Sequence, residues 1–597
     1  MMKKCFTVLL LLLFFAGHTL AQKGDWYNDE GEHTYKGSGT KENPFLISSV
    51  SGLTFLADQV NMTPGNPYHG VYFKLTEDLD LGAHYWISIG CDAAHPFQGS
   101  FDGNGKVIRN LYINNSNSEG YPASGLFGYL GNGARIENLT IEGGKITGDA
   151  SQSISYTGSL AGYMFCNAVN GEDSIIIRNC HNKNVTIIGG ETEHSNTGGL
   201  IGEGYAFCDG DGSVYILIDK CSNNAEISAG TSNLSYTGGI IGKGRGHGYC
   251  DGTVSSAASF VITSCVNNGS ISGGNTRGEE AVCATGGVFG YGNASGDGYG
   301  YSDGSGVFTA HLCVNNGFVK GGNAISDNAL SFTGGIFGYG DGYGYGDKSS
   351  ISDNINDGNG YGSGKFIITS SCNRGMIAGG KNSGKNSTIA TGGVFGFASG
   401  SASGDEQGKG YGYGSFSMRN CYHAGDITAD SGCLGGMGGW ISTNGNGPNH
   451  TVSAIIQDCY AAGTINKNEQ PSVAITGGIV GRIHKVDEAK TSPVVDHCLA
   501  VLSYMAGDPP TTYRIVGQLM HAETSSRVLS GNYAYIPEGN WVDVNSIRNG
   551  SEWGSFMDLP PMDSWNKTEN AWQFPRSNNV MPRLRGIPGQ TNVAVPQ

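Results

Sequence analysis

The sequence predicts an all-β fold, a right-handed parallel β-solenoid of roughly ten coils, and three observations carry that expectation. A glycine-centred unit recurs about every 40 to 58 residues along most of the chain, a spacing typical of stacked repeats. Each unit holds three short strands bounded by turn residues. No amphipathic helix of useful length interrupts the units, so each strand must pair with its counterpart in the next coil, and a lone coil could not fold. Glycine supplies 100 of the 597 residues. Without a period that content would read as disorder.

In chain order, residues 1–21 read as a signal peptide. Lys3 and Lys4 precede an apolar run from Phe6 to Ala16, and Ala21 offers a small residue at the cut. Cys5 precedes that run and no cysteine follows the cut, so a lipoprotein anchor is not expected. No later run approaches the roughly 20 apolar residues of a spanning helix. The expected protein is exported, with no membrane span, and works in the periplasm, at the cell surface or outside the cell.

Residues 22–105 read as an N-terminal capping segment, with strand-like Asn43-Pro44-Phe45-Leu46-Ile47 and Tyr72-Phe73-Lys74-Leu75. Ser49 to Val60 is its one expected short helix, capped by serine. A cap of this kind covers strand edges that would otherwise invite aggregation. Residues 106–520 form the solenoid. Residues 521–597, richer in Trp and Pro, are expected to close the other end.

The first repeat element is Thr-Gly-Gly-apolar-apolar-Gly. Strong copies are Gly198–Gly202, Gly238–Gly242, Gly286–Gly290, Gly334–Gly338, Gly392–Gly396 and Gly477–Gly481, and weaker ones lie at Gly125, at Ser159 and near Gly438-Gly439-Trp440. The second is an alternating strand that ends in a fixed apolar slot, as in Phe260-Val261-Ile262-Thr263-Ser264-Cys265. The third is a short strand such as Gly269-Ser270-Ile271-Ser272. Ten coils at about 4.8 Å per strand make a body about 50 Å long.

The Gly-Gly-apolar-apolar-Gly element, followed by an Asn-Cys-x-Asn-x-Gly type strand, resembles the GLUG repeat of bacterial secreted and surface proteins. The resemblance covers about Gly125 to Gly517. It implies an adhesin-like β-solenoid at or beyond the cell surface, and no single activity.

Seven cysteines share the apolar slot: Cys180, Cys221, Cys265, Cys313, Cys421, Cys459 and Cys498. Leu111 and Leu139 fill it in earlier coils, so it faces an apolar interior. The expected state is a stack of buried, mostly reduced thiols, with some disulfides between coils as the alternative. In one coil Ser371 takes the slot and Cys372 follows it. One step along a strand reverses the face, so Cys372 is expected to point outward. Cys166, Cys208 and Cys250 form a looser series in which disulfides are more plausible. Metal-ligand spacing with a nearby His is lacking at the slots.

Variation falls in inserts between the Gly-Gly strand and the slot strand: Tyr291–Gly306, Tyr339–Gly364 and Ala398–Gly414. They are rich in Gly, Tyr and Asp and leave one corner of successive coils, so they are expected to stack into a ridge. Tyr at alternate positions would then set Tyr299, Tyr301, Tyr343, Tyr345, Tyr411 and Tyr413 on one face. An aromatic row flanked by acids suits a glycan or protein partner. The plainer alternative is that these rings only hold extended hairpins together.

The net charge of -16 and the lack of a basic cluster exclude a phosphate-backbone binder, so nucleic acid is not an expected partner. No cofactor is expected. Ca²⁺ remains open through the insert aspartates, although no EF-hand spacing occurs. His-Glu-x-x-His is missing, and Gly300-Tyr301-Ser302-Asp303-Gly304 matches a nucleophile-elbow pattern only within a low-complexity insert. The expected function is non-catalytic, adhesin-like binding of an extracellular glycan or protein. The alternatives are a polysaccharide lyase or glycoside hydrolase, for which Asp209, Asp211 and Asp251 are the nearest acidic cluster, and a structural spacer.

Overall fold

The Thr-Gly-Gly-apolar-apolar-Gly element builds a crease. In one coil the strand Leu234–Gly238 ends, the chain turns, and it resumes as Ile241–Gly252. Ile240 and Ile241 are fully buried. A Cβ on Gly238 would overlap the Ile241 carbonyl, and one on Gly242 would lie 2.6 Å from the Thr197 nitrogen of the preceding coil. Glycine recurs here because the crease has no room for a side chain. The computed structural model describes residues 34–536 apart from short stretches, the longest being 348–359, and beyond them residues 551–552, 571–573, 581–587, 590 and 593. The expected signal peptide, residues 1–21, lies outside the described residues.

Each strand pairs in parallel with its equivalent in the next coil, which makes the molecule an all-β parallel solenoid. Ten strands before the crease, from Ala123–Ser124 to Thr512–Tyr513, form one sheet. The longer strands after the crease form a second sheet of 21 strands, and the strands after the cysteine slot form the third side. The register Gly198↔Gly238↔Gly286↔Gly334↔Gly392 keeps the repeat glycines in line. The copy expected near Gly438-Gly439 sits three residues earlier. Gly392 pairs with Gly435 and Phe395 with Gly438, so Gly438 occupies an apolar slot.

The second corner is a single left-handed residue. Asn179, Lys220, Ser264, Leu312, Ser370, Asn420, Asp458 and His497 have φ between 49° and 56°. They immediately precede Cys180, Cys221, Cys265, Cys313, Ser371, Cys421, Cys459 and Cys498. Asn110 and Asn138 do the same before Leu111 and Leu139. The left-handed residue turns the chain and aims the next side chain inward.

Two phenylalanine columns fill the core of the central coils. Phe260, Phe308, Phe366 and Phe416 stack at 5.1 to 5.8 Å, and Phe289, Phe337 and Phe395 at 5.3 to 5.4 Å. Such pairs add about 0.5–1.5 kcal/mol each beyond burial. Beside them runs a buried amide ladder. The Nδ2 of Asn223 donates to Asn267, Asn267 to Asn315 and Asn315 to Asn373, each at 2.7 Å. His423 Nδ1 lies 2.9 Å from Asn373 Nδ2 and takes the next rung. The ladder lets the asparagine amides be buried with their hydrogen bonds made.

At the N-terminal end a helix covers Val50–Met62, two residues longer than expected. Ser49 caps it by accepting from the Gly52 N–H at 3.2 Å. Its Leu53, Leu56 and Val60 are fully buried in the main core. At the other end, Ser551–Glu552 adds a rung to Tyr533–Tyr535. Trp572–Gln573 and Arg583–Leu584 instead pair with each other on the flank of the solenoid. Trp572 is fully buried there, and its Nε1 donates to Asn420 at 2.9 Å. This part of the C-terminal segment therefore straps the side of the body, and the expectation that it closes the end is corrected to that extent.

Candidate functional site

The inserts fold as a fin. Outgoing strands Phe289–Gly300, Phe337–Asp347 and Phe395–Gly404 pair only with one another and with outgoing neighbours, through Ser295↔Tyr343↔Ser401 and Asp297↔Tyr345↔Ser403. Returning strands Asp303–His311, Tyr361–Thr369 and Tyr411–Arg419 do likewise, through Asp303↔Tyr361↔Tyr411. The two layers face each other through glycine. A Cβ on Gly344 would overlap the Tyr413 carbonyl, and Cβ atoms on Gly362 and Gly364 would overlap those of Tyr345 and Tyr343. Stacked sheets normally sit about 10 Å apart. Here backbone touches backbone, and each layer can turn only one face outward.

That geometry divides the six expected tyrosines. Tyr299, Tyr343 and Tyr345 lie on the outgoing face, with Tyr299 and Tyr345 rings 5.6 Å apart. Tyr411 and Tyr413 lie on the returning face, where Tyr411 stacks on Tyr361 at 5.1 Å. Tyr301 sits at the tip. The single tyrosine face expected from the sequence is thus two faces on opposite sides of a glycine core. Alternation holds within each arm, but the arms turn their backs to one another. On the outgoing face the Tyr345 hydroxyl donates to Asp347 at 2.8 Å. Burial and nearby Asp297 push the Tyr299 phenol up to about 12.

A second aromatic surface, missed from the sequence, lines the outer side of the crease. The residue after the last motif glycine is Tyr129, Tyr163, Tyr291, Tyr339, Phe397 or Trp440 in six coils, and that recurrence was the signal available. These rings meet rings on the preceding strands: Tyr156–Tyr163 at 4.7 Å, Tyr236–Tyr291 at 4.9 Å and Phe332–Phe397 at 5.1 Å. Two coils interrupt the row with Glu203 and Lys243, which pair at 3.3 Å. Asn196 donates to Glu203 at 2.7 Å. One column further out, Tyr205 Oη lies 3.0 Å from His247 Nδ1 and His247 Nε2 lies 2.9 Å from Asp297. The Arg245 guanidinium stacks over Tyr205 at 4.5 Å.

All seven slot cysteines are buried and unbridged. Each thiol lies 3.1 to 3.5 Å from the carbonyl two residues back. Burial pushes the Cys313 thiol up to about 12 and raises those of Cys180, Cys265 and Cys459. Ser371 fills its coil's slot, and its hydroxyl accepts from the Cys313 N–H at 3.1 Å. Cys372 leaves the main core as expected, yet it is buried, because it joins Tyr422, Tyr460 and Trp572 in the cluster under the C-terminal strap. Cys166, Cys208 and Cys250 are also unbridged. Cys166 pairs with Ala206 and Cys208 with Gly248, an offset that denies the series the disulfides allowed for it.

Ser302 is fully buried; its hydroxyl accepts from the Tyr299 N–H at 2.9 Å and lies 2.8 and 2.6 Å from the Cys250 and Tyr299 carbonyls, so it holds a turn. Asp209 and Asp251 stand opposite Tyr249 and Tyr299 in the neighbouring coils, and neither faces another carboxylate across its strand. Among the described residues one three-ligand group gathers, Cys91, Asp92 and His95, within 4.8 Å. Asp92 there accepts from the Ala94 and His95 N–H groups, the pattern of a side-chain-capped turn. A recess of about 780 Å³ near the N-terminal end is lined by Lys74, Asp102, Arg135, Glu137 and Arg178. Ion pairs at 3.2 to 3.9 Å link Lys74 to Asp102 and both arginines to Glu137.

No protein-family profile matches the chain. It is 36% identical over 132 residues to a protein of Evansella cellulosilytica named as a Gly-rich membrane protein, and 35% identical over 130 residues to the halomucin of Haloquadratum walsbyi. Each match takes in 21% of this chain, and 14% and 1% of those proteins respectively. Among solved structures, a candidate immunoglobulin A1 protease from Bacteroides ovatus aligns with 62% of this chain and 84% of its own, at 18% identity and a TM-score of 0.34. Among the described residues no helix is long and apolar enough to cross a membrane.

Proposed function

We propose that this chain is a non-catalytic, GLUG-type solenoid exposed at the cell surface, which binds an extracellular glycan through the tyrosine faces of its fin. The observation that carries the reading is the exposure of aromatic rings on a blade with no slack. Tyr413 and Tyr361 keep 40% and 37% of their surface open on strands paired along both edges, and Tyr301 at the tip keeps 56%. Exposed rings held this rigidly present apolar area with a polar tip, and little side-chain freedom is lost on binding. The names of the two sequence relatives, a membrane protein and a mucin, fit a surface setting.

The test is a glycan and mucin array probed with the exported chain and with a variant carrying Tyr299, Tyr301, Tyr343, Tyr345, Tyr411 and Tyr413 as Ala. Binding by the parent that the folded variant loses supports the reading. If the parent binds no glycan and no mucin, the reading fails, and a protein partner or a spacer role takes its place.

A further inference from the structure

Cations along the crease differ in how they are satisfied. Lys243 has Glu203 at 3.3 Å, and His247 has Asp297 at 2.9 Å. Arg245 lies between them on the same strand face. Among the described residues it has no carboxylate within ion-pair distance, and its one close partner is the Tyr205 ring. Its charge opposes the upward push of burial on the Tyr156, Tyr163, Tyr205, Tyr236 and Tyr291 phenols. Those five phenols therefore lie within reach of its charge, and Tyr205 is the ring it stacks on.

We propose that Arg245 anchors the carboxylate of an acidic sugar lying along the crease, with the sugar rings against the half-buried Tyr156–Tyr163 pair. This rests on the glycan-binding reading and narrows it to carboxylated sugars at a place separate from the returning face of the fin. A guanidinium with its plane on an aromatic ring still offers its edge N–H groups, and their fork matches a carboxylate. Asn196, 2% exposed, keeps an unpartnered Oδ1 beside the same window, and Glu203 and Lys243 supply further polar groups there. The chain carries a net charge of -16. A polymer charged on every unit is repelled by that field, so an isolated carboxylate on an otherwise neutral glycan is the better match.

The experiment is calorimetric titration of the full chain in about 0.15 M salt, where long-range repulsion is screened beyond about 8 Å. The probes are sialyllactose against lactose, and a hyaluronan tetrasaccharide against its carboxyl-reduced form. At least one acidic probe is expected to bind tenfold or more tighter than its neutral partner. Arg245→Gln is expected to abolish that difference, Arg245→Lys to keep part of it, and Met376→Ala, an exposed side chain outside both the crease and the fin, to leave it unchanged. Equal binding of acidic and neutral probes to the parent overturns the proposal whether or not the variants fold. So does an Arg245→Gln chain that melts normally and keeps the preference. If neutral glycans bind on the array and no acidic probe does, the carboxylate site fails while the glycan reading stands. If no glycan binds at all, both fail.

Discussion

The Cβ that Gly287 lacks would fall on the side chain of Asn315, on the third side of the same coil. The same relation links Gly199 to Asn223, Gly239 to Asn267 and Gly335 to Asn373, and in the next coil Gly393 to His423. The second motif glycine and the buried amide ladder are thus two halves of one packing solution. Gly287→Ala is expected to cost about 2–3 kcal/mol through overpacking, read as a fall in the thermal midpoint. Asn315→Ala in the same chain should recover only part, since the new methyl also meets the Gly335 carbonyl.

His423 gives the ladder a pH dependence. Complete burial lowers its pKa from the ordinary 6.5 to about 4. The folded chain therefore holds the ring neutral where the unfolded chain would protonate it. Its contribution is intact above pH 6.5 and is lost as pH falls toward 4, by roughly 3 kcal/mol in all. Comparing urea midpoints at pH 7 and pH 4.5 for the parent and for His423→Asn isolates this group from the carboxylates. The variant should show the smaller drop.

Lys220 occupies the left-handed corner with φ 56° and is exposed. Asn stands at the equivalent place in four other coils, at Asn110, Asn138, Asn179 and Asn420. Because a non-glycine residue pays about 1–2 kcal/mol there and Asn pays less, Lys220→Asn should raise the thermal midpoint. A lowered midpoint would show that the Lys220 side chain supplies more than the corner costs.

Trp572 and Cys372 share the apolar cluster under the C-terminal strap. With the strap in place no thiol should react readily with Ellman's reagent, since every cysteine among the described residues is buried. Trp572→Ala should make Cys372 the first thiol to react while the slot cysteines stay protected. Mass mapping of the modified cysteine checks the assignment.

Gly344 and Gly362 hold the two layers of the fin in backbone contact. Gly344→Ala should loosen the fin without unfolding the solenoid, because adjacent coils below the fin keep their own strand pairs. Amide exchange should speed up across Phe337–Asp347 and Tyr361–Thr369, and remain slow in the core strands around Ile240 and Ile336.

The repeat, the cysteine slot and the reversal at Ser371–Cys372 were legible because each is periodic in the chain. Steric exclusion at the crease and apolar burial at the slot act on every coil alike and so leave a repeated letter. The helix cap at Ser49 was legible for a local reason, since its bond to Gly52 spans three residues. The inserts were legible as a stacked, tyrosine-rich feature by composition alone. Their division into two opposed faces was not, because alternation sets which way a side chain points relative to its own strand and says nothing of what lies behind it. Only the packed structure showed that the glycine sides of the outgoing and returning arms meet. The same holds for Arg245 over the Tyr205 ring, and for Trp572 over Cys372, which is 200 residues away in sequence. Those contacts join different walls or distant segments, and their geometry depends on the crease angle and on the path of the strap. The sequence by itself determined a stacked solenoid, since one coil cannot bury its own strands. The tertiary structure decided which faces of it are open to a partner.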